Sequence, residues 1–213
     1  MYVKKIEYKP LILTVALIAF QSLCYFISKL LGGNPTLIGG VIDNKIPFNI
    51  WFIIPYCIWY LLIFLIPYYL YKKDKNIFTK YFLAYSLSTF IANIIFIVYP
   101  TCVDRPIVTG TSFIELITRI VFWVDTPAQN CFPSLHCAVS MLFILYMFEC
   151  KKAPVHLKIL TAIMSILIMM ATLFTKQHVF IDLVSGNILA IISYIIVYKL
   201  KKTNKKVKEL LAL

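Results

Sequence analysis

The sequence predicts an all-α polytopic membrane protein: a bundle of six transmembrane helices with its N and C termini in the cytoplasm. Of its 213 residues, 61% are hydrophobic and only 14% are charged, whereas soluble domains carry about 45–50% apolar and about 25% charged residues. Six apolar stretches are long enough to cross a bilayer. Basic residues cluster in alternate connections between these stretches. This composition excludes an ordinary soluble domain and a disordered chain.

The six predicted spans follow one another along a single domain, residues 1–213. They are 11–31, 50–71, 81–99, 132–148, 157–174 and 179–198. No segment alternates apolar and polar residues over the length of a barrel strand, so we expect helices as the spanning elements. The first stretch follows Lys4 and Lys5, as in a secretory signal, but it is too long and lacks a clear cleavage site. We therefore expect it to be retained as a span.

The distribution of basic residues predicts the orientation in the membrane. Sixteen of the 21 Lys and Arg residues lie at the two termini and in connections 72–80 and 151–158. The positive-inside rule places these regions in the cytoplasm. The net charge of +12 then indicates contact with membrane lipids rather than nucleic acid. On the opposite, outer side are the remaining five, namely Lys29, Lys45, Arg105, Arg119 and Lys176.

The longest outer connection, residues 100–131, contains a segment with helical periodicity. In Phe113–Val124, apolar residues recur at helical spacing and Glu115 and Arg119 are four residues apart, which favours a short interfacial helix. Asp125 follows, and it either positions the loop, binds an acceptor or belongs to an ordinary turn.

Three polar clusters are predicted at outer helix ends, at one membrane level. Asp104-Arg105-Pro106 follows the third span, Pro133-Ser134-Leu135-His136 opens the fourth, and the segment from Lys176 through His178 to Asp182 opens the sixth. A carboxylate four residues from a histidine can fix its tautomer and leave the other ring nitrogen as a base or nucleophile. A structural pair that joins helices is the alternative.

The other two clusters contain residues suited to binding and protonating a phosphate. Pro133 suits a first helical turn, and the N–H groups that follow, with the Ser134 hydroxyl, form an anion site. His136 lies in this turn as a proton donor, and the Arg105 guanidinium can bind phosphate oxygens in two places. Each residue also has a simpler interpretation as an interfacial side chain without chemistry.

The order Arg-Pro, Pro-Ser-x-His and His-x3-Asp resembles the type 2 phosphatidic acid phosphatase superfamily. Its general pattern is Lys-x6-Arg-Pro, Pro-Ser-Gly-His and Ser-Arg-x5-His-x3-Asp on a six-helix membrane core. The motifs span residues 98–186 here, and Leu135 in place of Gly resembles the branch that includes the inositol phosphorylceramide synthases. Val98 stands where the family has Lys, and Ala171 and Thr172 stand where it has Ser-Arg. Lys176 is a candidate substitute for the missing cations.

The resemblance implies a division of roles among these residues. His178 would attack phosphorus and form a phosphohistidine, Asp182 would orient it, and His136 would protonate the leaving oxygen. Arg105, Ser134 and Lys176 would bind the phosphate, and neither a metal nor another cofactor is needed.

The predicted function is hydrolysis of a lipid phosphate or diphosphate at the outer leaflet of the cell membrane. A phosphotransferase that passes a phosphoryl headgroup to an alcohol is the alternative, and a transporter is a remote one. The sequence assigns neither the lipid nor an oligomeric state.

Cysteines raise two further possibilities. Cys102 and Cys131 bracket the outer loop and are candidates for a disulfide. Cys131, His136, Cys137 and His178 could be drawn as a zinc site, but their spacing fits no familiar zinc pattern.

Overall fold

The computed structural model describes residues 8–200, most of which are helical. The helices are α1 (Tyr8–Leu31), α2 (Val41–Lys45), α3 (Ile53–Lys73), α4 (Lys75–Val98), α5 (Phe113–Val124), α6 (Leu135–Glu149), α7 (Val155–Phe174) and α8 (Phe180–Lys199). A 3-10 turn, Ile50–Phe52, leads into α3. Two short strands, β1 (Thr36–Leu37) and β2 (Thr101–Cys102), pair in parallel. The predicted all-α class is confirmed.

Five helices are long and apolar enough to cross a membrane: α1, α3 with its 3-10 turn, α4, α7 and α8. The predicted fourth span corresponds to α6, which has only 15 residues, fewer than the about 20 that a span needs. Nine of these 15 residues are buried, and α6 packs against α3, α4, α7 and α8. Helix α6 therefore packs mainly against other helices of the protein.

Two helices begin at residues other than those predicted, and in each case a capping residue explains the difference. The predicted third span begins at residue 81, but α4 begins at Lys75, because the Asp74 carboxylate accepts hydrogen bonds from the N–H groups of Asn76 (3.0 Å) and Ile77 (3.3 Å). The Ser134 hydroxyl likewise accepts from the Cys137 N–H (3.3 Å), so α6 begins at Leu135. Pro133 therefore precedes the helix and does not lie in its first turn.

The predicted interfacial helix has the bounds of α5, and its two charged residues, Glu115 and Arg119, each hydrogen-bond a residue that precedes the helix. The Glu115 carboxylate accepts from the Ser112 N–H (2.9 Å), and Arg119 donates to the Gly110 carbonyl. Glu115 is thus used to cap the start of α5.

The three outer connections meet in one layer over the helix ends. β1 follows α1 and pairs with β2, which follows α4. Lys176, between α7 and α8, donates its ammonium to the carbonyl oxygens of Asp43 (3.0 Å) and Ile46 (2.5 Å). The Asp43 carboxylate in turn accepts from the Phe180 N–H (2.7 Å). These contacts bring the three polar clusters of the sequence to one end of the bundle.

Candidate active site

The centre of the candidate site is a His–Asp pair at the start of α8. His178 lies just before the N-cap residue Val179, and its Nδ1 is 3.2 Å from Oδ2 of the fully buried Asp182. The same oxygen accepts from the Val179 N–H (3.1 Å). With the proton on Nδ1, the imidazole presents a lone pair on Nε2, which is the nitrogen available to attack an electrophile.

His136, in the first turn of α6, lies beside this pair. Its ring centroid is 5.8 Å from that of His178, and two aromatic side chains of α3 enclose it, Trp59 at 4.4 Å and Tyr56 at 4.8 Å between centroids. Its Nε2 is buried and has no hydrogen-bond partner among the described residues. The two histidines are close enough to act on opposite sides of one small group.

A glycine allows the two helices that carry the histidines to approach. The Ser134 N–H donates to the carbonyl of Asp182 (3.2 Å), which ties the start of α6 to the first turn of α8. One turn further along, a Cβ on Gly186 would lie 2.4 Å from the Ser134 carbonyl oxygen. Any larger residue at this position must push α8 away from α6.

Ser134 is buried, and its hydroxyl accepts from the Cys137 N–H. This side chain therefore caps α6, and the role in phosphate binding that the motif implies stays a prediction.

Arg105 reaches the site region from the loop after α4 and is paired there. Its guanidinium bonds the Asp125 carboxylate and donates to the Asp125 carbonyl (3.3 Å). The other carboxylate oxygen of Asp125 accepts from the Tyr25 hydroxyl (2.5 Å) and lies 3.5 Å from the Lys29 ammonium. Nε of Arg105 is buried without a partner in the described part of the chain. Asp125 thus pairs with two cations, Lys29 from α1 and Arg105 from the loop.

Lys176 has a contact that the sequence did not indicate. Its ammonium holds the carbonyls of Asp43 and Ile46, as described above, and its backbone adopts a left-handed conformation with φ of 56°. This arrangement favours an anchoring role for the side chain. The prediction that Lys176 binds phosphate is not tested by the structure.

His178 lines two cavities of different character. One, of about 260 Å³, extends among apolar and aromatic side chains of α1, α3 and α4, and His136 and Asp125 also line it. The other, of about 610 Å³, faces the outer loops and is lined by Asp43, Asp104, Arg105 and Lys176. The nucleophile candidate is thus reached from an apolar side and from a polar side.

All six cysteines are free thiols, so the structure does not form the Cys102–Cys131 disulfide. Cys131, His178 and Asp182 place possible metal-ligand atoms within 4.8 Å of one another, a set different from the zinc arrangement considered above. Burial raises the pKa of the Cys131 thiol.

Sequence reasoning missed four residues around the site. Tyr25 and Lys29 bind Asp125, the Trp59 ring packs at a tilt against His136, and Gln177 is buried beside both histidines. Of these four residues, only Gln177 could have been identified from the sequence, because it lies between two motif residues. The other three come from distant parts of the chain.

The sequence pattern of the PAP2 superfamily matches residues 27–196, a range that includes all three polar clusters. No curated protein and no solved structure matches the chain. The match covers well over half of the sequence and agrees with the resemblance of the motifs, although it does not resolve the inositol phosphorylceramide synthase-like branch. The chain therefore belongs to the PAP2 superfamily.

Proposed function

We propose that this protein is a metal-independent phosphatase that hydrolyses a lipid phosphate or diphosphate through a phosphohistidine on His178. Members of the PAP2 superfamily are generally phosphatases. The observation that carries the proposal is the His178–Asp182 pair beside His136 on the wall of an apolar cavity. An apolar cavity next to a nucleophile suits a substrate whose hydrocarbon chain comes from the bilayer.

The first half-reaction transfers the phosphoryl group to the enzyme. Nε2 of His178 attacks phosphorus, a P–N bond forms, and the bond between phosphorus and the lipid oxygen breaks. His136 gives its proton to the departing oxygen, while the Asp182 carboxylate stabilises the charge that develops on the His178 ring. The lipid alcohol then leaves toward the bilayer.

The second half-reaction restores the enzyme. A water molecule attacks phosphorus and gives a proton to His136, now acting as a base. The P–N bond breaks, the electron pair returns to His178, and phosphate leaves. The outer cavity, lined by polar loops, offers this ion a path to water.

Arg105 is the proposed main phosphate cation. The fork of a guanidinium suits the oxygens of a phosphoryl group in the transition state, and the unpartnered Nε leaves Arg105 with a free donor. Lys29 supplies a second positive charge nearby through Asp125. The helix start capped by Ser134 contributes backbone N–H groups. The Lys176 ammonium has two of its three N–H groups on carbonyls and could give only the third to the phosphate.

We further propose that the single domain crosses the cell membrane six times, with α6 as the short fourth span, both termini in the cytoplasm and the site on the outer side. The 16 cytoplasmic Lys and Arg residues support this orientation. Single cysteines introduced near residues 73 and 152 into a cysteine-free variant should resist a membrane-impermeant thiol reagent in intact cells, whereas one near residue 108 should react. The reverse labelling pattern contradicts the orientation.

A phosphotransferase is the second candidate. The two cavities that meet at His178 could admit a lipid from one side and a polar headgroup from the other. In that case an acceptor alcohol replaces water in the second half-reaction. The Pro-Ser-Leu-His sequence, with its resemblance to the inositol phosphorylceramide synthases, favours this candidate.

The proposal is tested with purified protein in detergent and excess chelator, using phosphatidic acid and farnesyl diphosphate as substrates. We expect phosphate release by the wild-type protein and none by His178→Ala. Substrate consumption that occurs only with an added alcohol, with the phosphoryl group recovered as an ester of that alcohol, identifies a phosphotransferase. Equal rates for wild type and His178→Ala contradict both candidates.

A further inference from the structure

Gln177, directly before His178, is a buried amide without a partner. Its side chain is 2% exposed, and neither Oε1 nor Nε2 makes a hydrogen bond within residues 8–200. An amide in this state loses its bonds to water and gains none from the protein, which costs free energy. An unpartnered buried amide on a cavity wall is a candidate for a ligand that completes its hydrogen bonds.

The backbone holds Gln177 and His178 in one rigid turn. The N–H groups of both residues donate to the same acceptor, the Thr172 carbonyl, each at 3.0 Å. Lys176, which precedes them, adopts its left-handed conformation and is anchored by its own side chain. The backbone that carries the amide and the nucleophile is therefore held in one arrangement by these bonds.

The amide lines the same cavity as both histidines. Other unpartnered polar atoms on this wall are Nε2 of His136, Nε1 of Trp59 and Oε1 of Gln21. A hydrocarbon chain satisfies none of these atoms. They fit a small polar group that both donates and accepts hydrogen bonds, at the place where the phosphohistidine would form.

From this geometry we propose that Gln177 binds the hydroxyl group that cleaves the phosphohistidine, whether that hydroxyl belongs to water or to an alcohol. Toward water, Oε1 accepts a hydrogen bond from the proton that stays on oxygen. Toward an alcohol, whose single hydroxyl proton goes to His136, Nε2 donates a hydrogen bond to the hydroxyl oxygen. This inference rests on the proposed function, and it names a residue outside the three motifs as part of the second half-reaction.

The step balances with the groups on the cavity wall. The hydroxyl oxygen forms a bond to phosphorus, its proton passes to Nε2 of His136, and the P–N bond breaks with its electron pair returning to His178. When water is the nucleophile, its second proton remains on the water oxygen. This remaining O–H group donates the hydrogen bond that Oε1 of Gln177 accepts. Gln177 itself neither gains nor loses a proton, so its contribution is orientation of the attacking oxygen.

The test compares formation and decay of the phosphoenzyme by rapid alkaline quench, with substrates labelled in phosphorus: phosphatidic acid and farnesyl diphosphate. Gln177→Met keeps the length of the side chain and removes its polar atoms. We expect formation of the phosphoenzyme within about threefold of wild type, decay at least about tenfold slower, and accumulation of label. Gln177→Asn, which withdraws the amide by one methylene group, should slow decay selectively but less, and it provides the same measurement if Gln177→Met does not fold.

A matched control is Asn93→Leu, which removes another buried amide, in α4 and away from the cavity. Formation and decay should keep their wild-type ratio in this variant. Decay is followed in buffer alone and with added glycerol, and the product, inorganic phosphate or a glycerol ester, identifies water or the alcohol as the source of the hydroxyl. Gln177→Met should slow both products.

Two outcomes overturn the assignment of Gln177: decay at the wild-type rate in both Gln177 variants, or equal slowing of formation and decay, which indicates a structural role. A wild-type protein that forms no phosphoenzyme, or a His178→Ala variant that retains activity, instead refutes the proposed function and the assignment with it.

Discussion

The two sides of the candidate site are built in different ways. On the nucleophile side, His178 and Asp182 are four residues apart and bond directly, and His136 joins them through the packing of α6 on α8. On the cation side, Asp125 lies 96 positions from Lys29 and 20 from Arg105, yet it holds both. Local spacing fixes the His178–Asp182 pair, whereas contacts of the outer connection 100–131 with α1 and within itself fix the cation side. Substitutions on the two sides should therefore differ in how they change catalysis and stability.

The largest effect is expected on the nucleophile side, from Asp182→Asn. A neutral amide cannot offset the positive charge that forms on the His178 ring during attack, so kcat should fall by roughly 100-fold or more. The measurement is steady-state phosphate release with saturating substrate. Asp74→Asn at the opposite end of the bundle is the control, because Asn caps a helix as well as Asp. Wild-type kcat in Asp182→Asn would show that the carboxylate has only a structural role.

Removing Arg105, the proposed main phosphate cation, should lower activity nearly as much. Arg105→Ala should lower kcat/KM by about 10- to 100-fold, on the scale of a lost charge-assisted hydrogen bond of about 1.5–3 kcal/mol. Arg119→Ala removes the other arginine of the same loop, which binds the Gly110 carbonyl instead, and should stay within about twofold. If both variants lose activity equally, the effect of Arg105 comes from the loop and not from phosphate.

A smaller loss is expected when the spacing between the two histidines changes. A Cβ at Gly186 meets the Ser134 carbonyl at 2.4 Å, so Gly186→Ala must move α8 relative to α6. We expect about tenfold lower kcat and about 1–3 kcal/mol lower stability from overpacking. Gly33→Ala is the control, because a Cβ there meets nothing within 4 Å. Unchanged kcat in Gly186→Ala would mean that the histidines tolerate a wider separation.

Much of the fold could be predicted because hydrophobicity alone reports membrane helices. Five of the six predicted stretches correspond to helices of spanning length. The exception, α6, has 15 residues, of which nine are buried, and a sequence does not reveal which apolar residues face lipid. The observed first residues of α4 and α6 differ from the predicted ones because a capping residue, Asp74 or Ser134, sets where each helix begins.

The candidate site was predictable only where its residues are close in sequence. The contact of His178 with Asp182 follows from a spacing of four. The partners of Asp125 do not, because Tyr25 and Lys29 precede it by about 100 residues and no local pattern connects them. The sequence therefore suggested Lys176 as the substitute cation, whereas the structure brings Lys29 to Asp125.

The smallest catalytic effect is expected for Lys176, and this variant separates the two interpretations of its side chain. The ammonium binds the carbonyls of Asp43 and Ile46 at 3.0 and 2.5 Å. Lys176→Asn removes these bonds, and Asn tolerates the left-handed backbone at this position. If the side chain is an anchor, the free energy of unfolding should fall by about 1.5–3 kcal/mol, while kcat/KM changes by less than about threefold.

If Lys176 instead supplies the cation that Val98 and Thr172 lack, kcat/KM should fall by about tenfold or more with little change in stability. Thermal unfolding in detergent and phosphate release, measured on the same preparations, distinguish these results. Lys176→Arg is the matched variant, since it keeps the charge but changes its shape. We expect the anchor result, because two of the three N–H groups of the ammonium already bind the carbonyls that join the α7–α8 turn to the segment of α2. The nucleophile side of the site would then operate with Arg105 and Lys29 as its cations.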